Sequence, residues 1–268
     1  EMQYYDYDND DTTDYGLETN SSFSDPSSWY HVVWAFDTTQ GTEANRVKVY
    51  INGVQHAYTD MNAHHGAVVQ NRDLNVNQAT PHWIGRNIDT TSRYMNGYLA
   101  DFNFIDGTQY DASYFGEFKN GIWIPKEPSV TYGTNGFRLQ FTGTGASADS
   151  SGFGADTSGN NNHLASSSLG TNPSTKDTPQ NNFCTLNVRD NQSVNVSKGG
   201  CNFDSSGGAD EGIRGTIGVL AGKWYYECKV ISGGQYISIG LFQYLGNAVP
   251  TKWARYYGAS GAKNLDGT

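Results

Sequence analysis

A chain of 268 residues with 36% hydrophobic, 13% aromatic and only 16% charged residues is too aromatic for a disordered segment. It also has no apolar run near the ~20 residues of a membrane-spanning helix. Its 17 Lys and Arg stand against 27 Asp and Glu, a net charge of −10, with the basic residues scattered singly. That excludes the basic stripe a nucleic-acid partner requires.

Helix-favouring residues are sparse and glycine numbers 32, so the composition reads as all-β. Cys184, Cys201 and Cys228 cannot all pair with one another, and none has a C-x-x-C spacing. They read as reduced thiols. The first residue is Glu1 and no charged-then-apolar leader is visible, so the chain reads as a piece of a longer protein.

In chain order, the first feature is an acidic run containing Asp6, Asp8, Asp10 and Asp11. Its alternating carboxylates are of the type that bind a hard cation, but the turn glycine and distal glutamate of an EF-hand are missing. A solvated acidic loop is the plainer reading. From Trp29 the pattern becomes strand-like. Val47, Val49 and Ile51 alternate with Lys48 and Tyr50, and Asn52-Gly53 follows. Period-2 alternation meeting a dipeptide suited to positive φ predicts a hairpin of residues 46–51 with 54–58, its three aliphatics turned inward.

His64-His65 diverge on an extended chain and no third ligand accompanies them, so they read as exposed loop residues. A further stretch runs His82-Trp83-Ile84-Gly85 and then over 95–105, where Tyr98, Ala100, Phe102 and Phe104 alternate with Leu99, Asp101, Asn103 and Ile105. With apolar groups on both faces, a strand covered on both sides is expected.

Residues 126–182 are rich in Gly, Ser, Thr and Asn and read as a connector holding one short strand, 137–141. From 183 to 268 strand patterns resume, with alternation over 222–231, then Gly233-Gly234, then 235–242. This predicts a second hairpin. Trp29, Trp34, Trp83, Trp123 and Trp224 all fall in strand patterns and are expected in the core.

Trp29-Tyr30-His31-Val32-Val33, Phe36-Asp37, Val49-Tyr50-Ile51-Asn52-Gly53, Trp83-Ile84-Gly85-Arg86 and Gly97-Tyr98-Leu99-Ala100-Asp101-Phe102 occur in an order that resembles the concanavalin A-like, laminin-G-type jelly roll. The succession continues with Ser113-Tyr114-Phe115-Gly116, Gly121-Ile122-Trp123-Ile124-Pro125, Asp156-Thr157-Ser158-Gly159-Asn160 and Asp177-Thr178-Pro179-Gln180-Asn181. It is similar to structural proteins of tailed phages, especially those of marine bacteria. Gly222-Lys223-Trp224-Tyr225-Tyr226-Glu227 and Gln235-Tyr236-Ile237-Ser238-Ile239-Gly240 resemble the front half of a SPRY-type β-sandwich. The implied organisation is a jelly roll over 1–125 lacking its opening strands, a connector over 126–182 and a truncated SPRY-like sandwich over 183–268.

The resemblance implies a noncatalytic virion protein, a tail fibre or appendage on the extracellular particle. Its partners would be other virion proteins, copies of itself and host-surface glycan. Such folds grip sugars with a flat aromatic and polar side chains. The loop residues Tyr58, Arg86, Asn87, Asp89, Arg93 and Tyr94 are therefore the candidate carbohydrate contacts. Many such jelly rolls also hold Ca2+ at a loop rim, which makes Asp6, Asp8 and Asp10 the candidate metal ligands. The paired carboxylates of a glycosidase, a Gly-x-Ser-x-Gly elbow and a His-Glu-x-x-His pair are all missing from the sequence. The competing expectation is a carbohydrate-binding module from a secreted bacterial enzyme.

Overall fold

The computed structural model describes residues 2–6, 15–25, 28–60, 68–86, 94–169, 173–192, 194–205, 212–231, 238–242, 253–257 and 262–265. Its chain contacts divide it into two compact units, Glu1–Ile217 and Gly218–Thr268. The protein is all-β. Among the described residues the only helical turns are two short 3-10 segments, Glu43–Asn45 and Ala112–Tyr114.

The first strands are β1 (Gln3–Asp6), β2 (Tyr15–Thr19), β3 (Val32–Phe36), β4 (Val47–Ile51), β5 (Val54–His56) and β6 (Tyr58–Asp60). Next come β7 (Phe102–Phe104), β8 (Gly116–Lys119), β9 (Ile122–Pro125) and β10 (Phe137–Leu139). The first unit ends with β11 (Leu186–Gln192), β12 (Val194–Ser197), β13 (Asn202–Ser205) and β14 (Gly212–Gly215). The second unit holds β15 (Ser238–Phe242), β16 (Trp253–Tyr257) and β17 (Ala262–Leu265), joined in that order. In the first unit the sheets are β1–β2–β6, β3–β4–β5, β10–β7, β8–β9, β11–β14 and β12–β13, and every pairing is antiparallel.

The core of the first unit lies between the two three-stranded sheets. Tyr15 and Leu17 of β2 and Val47 of β4 are buried with Val68 and Leu74, and Tyr4, Trp34, Phe36, Tyr58 and Val76 pack around them. The Tyr4 ring sits 4.6 Å from Phe36 and 6.0 Å from Trp34. Val47, Val49 and Ile51 are 1%, 0% and 3% exposed, and β4 pairs with β5 through Ile51–Val54 and Val49–His56. The hairpin expected from the sequence is therefore present. It is shorter than its predicted second arm, because after Ala57 the chain leaves β4 and β6 pairs with β2 instead.

The turn does more than reverse the chain. Asn52 and Gly53 take φ of 48° and 79°, the pair of positive values a type I′ turn needs. The Asn52 side-chain oxygen accepts from the His31 amide at 2.8 Å, while the Asn52 amide donates to the His31 carbonyl at 2.8 Å. The indole of Trp123 lies directly against Gly53 and, on its other edge, against Gly116, so that a Cβ at either position would overlap the ring. Trp123 thereby docks β8–β9 onto the end of the β4–β5 hairpin. It also packs 5.7 Å from the His31 ring and edge-on to Phe118 at 5.0 Å.

The segment 126–182 is folded into the first unit. β10 pairs with β7 from the preceding segment, and their phenylalanines stack: Phe137 lies 6.0 Å from Phe102 and 5.2 Å from Phe104. Further on, the Asp177 carboxylate accepts from the Trp29 indole at 2.9 Å and from the Phe183 amide at 3.3 Å.

Three expectations need correction. Of the strand expected over 82–85 and 95–105, only Phe102–Phe104 forms, together with an isolated Arg86–Tyr94 bridge. Alternation marks two faces but supplies no ladder partner, and only 102–104 finds one, in β10. Residues 222–231 do not form a strand and are exposed throughout. β15 pairs with β16, leaving 222–231 without a ladder among the described residues. The Gly233-Gly234 turn lies outside the described residues. Trp83 and Trp224 are 43% and 64% exposed and are not core residues, whereas Trp29, Trp34 and Trp123 are half-buried. No helix among the described residues is long and apolar enough to cross a membrane. The three cysteines are free and exposed.

Substituting Gly53→Ala combines a left-handed backbone penalty with overlap on Trp123. It should destabilise the first unit by about 3 kcal/mol, against about 1–2 kcal/mol for the backbone term alone. Gly116→Ala, free of the backbone term, should cost only the overlap, about 1–2 kcal/mol; urea denaturation of both variants measures this.

Burial lowers the pKa of the His31 imidazole, with the negative charge of Asp101 pulling the other way. The unfolded chain therefore takes up a proton first as pH falls, and native stability should decline once pH drops below the ordinary value of 6.5. Denaturation midpoints compared between about pH 8 and pH 5 should fall less steeply for His31→Phe than for the parent.

Candidate functional site

Of the residues expected to contact sugar, the structure brings Arg86 and Tyr94 together. They face each other across an isolated antiparallel bridge, and the Met95 amide donates to the Gly85 carbonyl at 2.8 Å. The Arg86 guanidinium lies over the Trp83 ring, 5.4 Å from its centroid, close enough for cation–π attraction. Trp83, Tyr94 and Met95 are 43%, 60% and 46% exposed. A cluster of large side chains held by backbone pairing yet open to water is unusual at an ordinary surface, where single exposed apolar residues are the norm. Asn87, Asp89 and Arg93 lie outside the described residues.

Tyr58 sits elsewhere. Its ring packs against the core cluster, its hydroxyl donates to the Val47 carbonyl at 3.3 Å, and burial raises its pKa. Asp6, the first of the candidate metal ligands, is 2% exposed at the end of β1. Its carboxylate accepts from the Asn75 amide at 2.7 Å, the Asn75 side chain at 3.1 Å and the Tyr4 hydroxyl at 2.8 Å. These bonds tie β1 to the 75–77 turn and engage both oxygens. Asp8 and Asp10 lie outside the described residues, and no group of three potential metal ligands is found among those described.

The most concentrated electrostatic feature was not visible in the sequence. Arg138 of β10 is 8% exposed. Its guanidinium forks onto Asp101, with Nε at 2.6 Å from Oδ1 and Nη2 at 3.1 Å from Oδ2. It reaches Glu127 through Nη1 on Oε1 and through Nη2 on Oε2 at 3.1 Å. Burial works against the Arg138 charge, and the two carboxylates outweigh it, raising its pKa. The neighbouring Tyr132 hydroxyl donates to Asn103 at 2.6 Å, and burial is the largest influence pushing its pKa up to about 12.

Behind Arg138, the Asp156 carboxylate accepts from the amides of Arg138, Ser158 and Asn162 at 2.8–2.9 Å. Burial raises its pKa, but these donors overcome that and hold it below the usual carboxylate range. The Asn160 and Asn162 side chains clamp the carbonyls of Gly133, Thr134 and Gly136. Every charge in this network is satisfied internally, so its role is structural.

A signal for part of it was present in the sequence. Four of the Asp-x-Ser or Asp-x-Thr pairs in the sequence form such ties: Asp37/Thr39, Asp111/Ser113, Asp149/Ser151 and Asp156/Ser158. In each pair the carboxylate accepts from both the amide and the hydroxyl two residues on. Those bonds make Asx turns that close loops without secondary structure.

Two concavities border these elements. One, about 680 Å³, is a wide opening edged by Val130, Tyr132, Gly133, Thr134, Ser158 and Asn160. The other, about 190 Å³, lies against β4. No family model, curated protein or solved structure matches the chain.

Removing the charge with Arg138→Met would leave Asp101 half-buried beside an empty place. It should cost about 3 kcal/mol in urea denaturation. Glu127→Gln, at a side chain 77% exposed, should cost far less.

Proposed function

We propose that this protein is a noncatalytic structural component of a tailed-phage particle, a tail fibre or appendage. Residues 1–125 would form a concanavalin A-like jelly roll that recognises host-surface glycan or packs against neighbouring subunits, followed by a connector over 126–182 and a SPRY-like sandwich over 183–268. The sequence motifs support the phage reading, since their order over 29–106 and on through 183 resembles that class of protein. The binding reading is carried by the exposed Trp83–Arg86–Tyr94 cluster. It offers exposed aromatic side chains, Trp83 with the Arg86 guanidinium over one face of its ring and Tyr94 across the bridge, the kinds of group by which shallow sites stack a pyranose and grip its hydroxyls. A shallow site of this kind binds weakly by itself and gains from repetition, because several copies on one particle raise avidity ~10²–10⁴-fold. The proposed partners are accordingly copies of the chain, other virion proteins and host glycan.

The test has two parts. Mass spectrometry and immunogold labelling of purified particles should find the chain in multiple copies, and a monomer absent from particles would favour the binding module of a secreted enzyme. In a glycan array of host envelope material, Trp83→Ala should weaken binding by roughly tenfold. Release of sugar products that one Asp or Glu substitution abolishes would overturn the noncatalytic reading.

A further inference from the structure

The outer face of β4 borders the smaller of the two concavities. Lys48 and Tyr50 project from β4 on the side opposite the buried Val47, Val49 and Ile51, and Ala35 of β3 lies directly across from Lys48. Facing them is the segment around the 3-10 turn Ala112–Tyr114. Together they enclose a pocket of about 190 Å³ lined by Lys48, Tyr50, Gln109, Tyr110, Asp111 and Tyr114.

The walls are fixed. Both strands beneath are in register with their neighbours. The Gln109 amide donates to the Ala35 and Asn45 carbonyls, each at 3.1 Å, and so pins the facing segment to the sheet. Asp111 caps the 3-10 turn, its Oδ1 accepting from the Ser113 amide and hydroxyl at 2.7 and 2.5 Å. Tyr110 and Tyr114 pack with ring centroids 4.6 Å apart, and the Tyr110 hydroxyl accepts from the Thr131 amide at 3.2 Å.

The groups left over point to a ligand class. Among the described residues no carboxylate forms an ion pair with the Lys48 ammonium. Asp37 is near enough to feel it, but the Asp37 oxygens already accept from Thr39 and Gln40. Among the described residues the Tyr50 and Tyr114 hydroxyls and the second Asp111 oxygen likewise form no hydrogen bond with the protein. An apolar ligand would strand these groups dry, at a cost in binding. A bare inorganic anion would satisfy Lys48 but meet Asp111.

We infer that the Lys48–Tyr50–Asp111–Tyr114 pocket holds a single carboxylated sugar ring of the uronic acid type. Its carboxylate would lie at Lys48, its hydroxyls donating to Asp111 and bonding the phenols, with Tyr114, 40% exposed, along its face. The pocket is smaller than the ~300–1,000 Å³ of sites that enclose larger molecules, which limits it to one ring. This inference rests on the glycan-recognition reading and names the chemistry it would select.

The test titrates the full chain with glucuronate and galacturonate, with glucose and galactose, and with acetate and sulfate, by calorimetry and by NMR of the amides around Lys48. Uronates should bind with dissociation constants on the order of millimolar, roughly tenfold tighter than the neutral sugars. Lys48→Met, which keeps the side-chain stem, should erase that preference. Tyr114→Ala should weaken uronate and neutral sugar alike.

Equal affinity for neutral sugars, acetate or sulfate binding as well as uronate, or uronate binding unchanged in Lys48→Met would each overturn the inference. Glycan binding that survives Lys48→Met but is lost in Trp83→Ala would overturn this pocket while leaving the proposed function standing. Absence of sugar binding in parent and variants alike would remove both this pocket and the glycan-recognition reading, leaving subunit packing to be judged by copy number in the particle.

Discussion

Five residues of β4 are forced by the two-residue period of an extended chain to serve two environments at once. Val47, Val49 and Ile51 close the core against β2, while Lys48 and Tyr50 face a wall built from residues more than 50 positions later. A one-residue slip in register would exchange these faces, placing an ammonium and a phenol in the core. The turn at its end holds that register, because Asn52 is bonded in both directions to His31 and Gly53 lies flat against Trp123. The β8–β9 hairpin, the pocket wall and the start of β3 all take their positions from this strand and its turn.

How much could be read in advance follows from the range of the interactions. The β4–β5 hairpin was legible because its determinants are local: alternation over 47–51 and a dipeptide fit for positive φ. The strand patterns at 95–105 and 222–231 had the same alternation but no equivalent information about a partner edge. Alternation states which side chains share a face; it does not state that another strand will pair. Trp83 and Trp224 were misplaced for the same reason, since their burial was inferred from strands that do not form. Of the candidate sugar contacts, Arg86 and Tyr94 meet across a bridge, whereas Tyr58 packs against the core. The Arg138 network lay beyond sequence reasoning because Asp101, Glu127 and Asp156 reach it from 37, 11 and 18 positions away.

The acidic balance of the chain also acquires a specific use. Asp6, Asp101, Asp156 and Asp177 each accept hydrogen bonds that join separate parts of the first unit. Four Asp-x-Ser/Thr pairs close loops in place of secondary structure. In a fold with short strands and only two single-turn helices among its described residues, carboxylates do locally what longer ladders do elsewhere. The exposed Trp83–Arg86–Tyr94 cluster and the groups around Lys48 stand outside these ties and carry the proposals made for this protein.

The bond from the Trp29 indole to Asp177 has a bearing on how the protein is made. It spans 148 positions, and a second tie, from Arg189 to the Ser24 carbonyl, spans 165. Contacts of such separation make folding slow. At ~5–20 residues per second, the ribosome would spend several seconds or more between making Trp29 and making Asp177. For that interval the early sheets wait with Trp29 unanchored. Synthesis beside identical nascent chains would then carry a hazard of Trp29 finding another chain's Asp177 before its own is made.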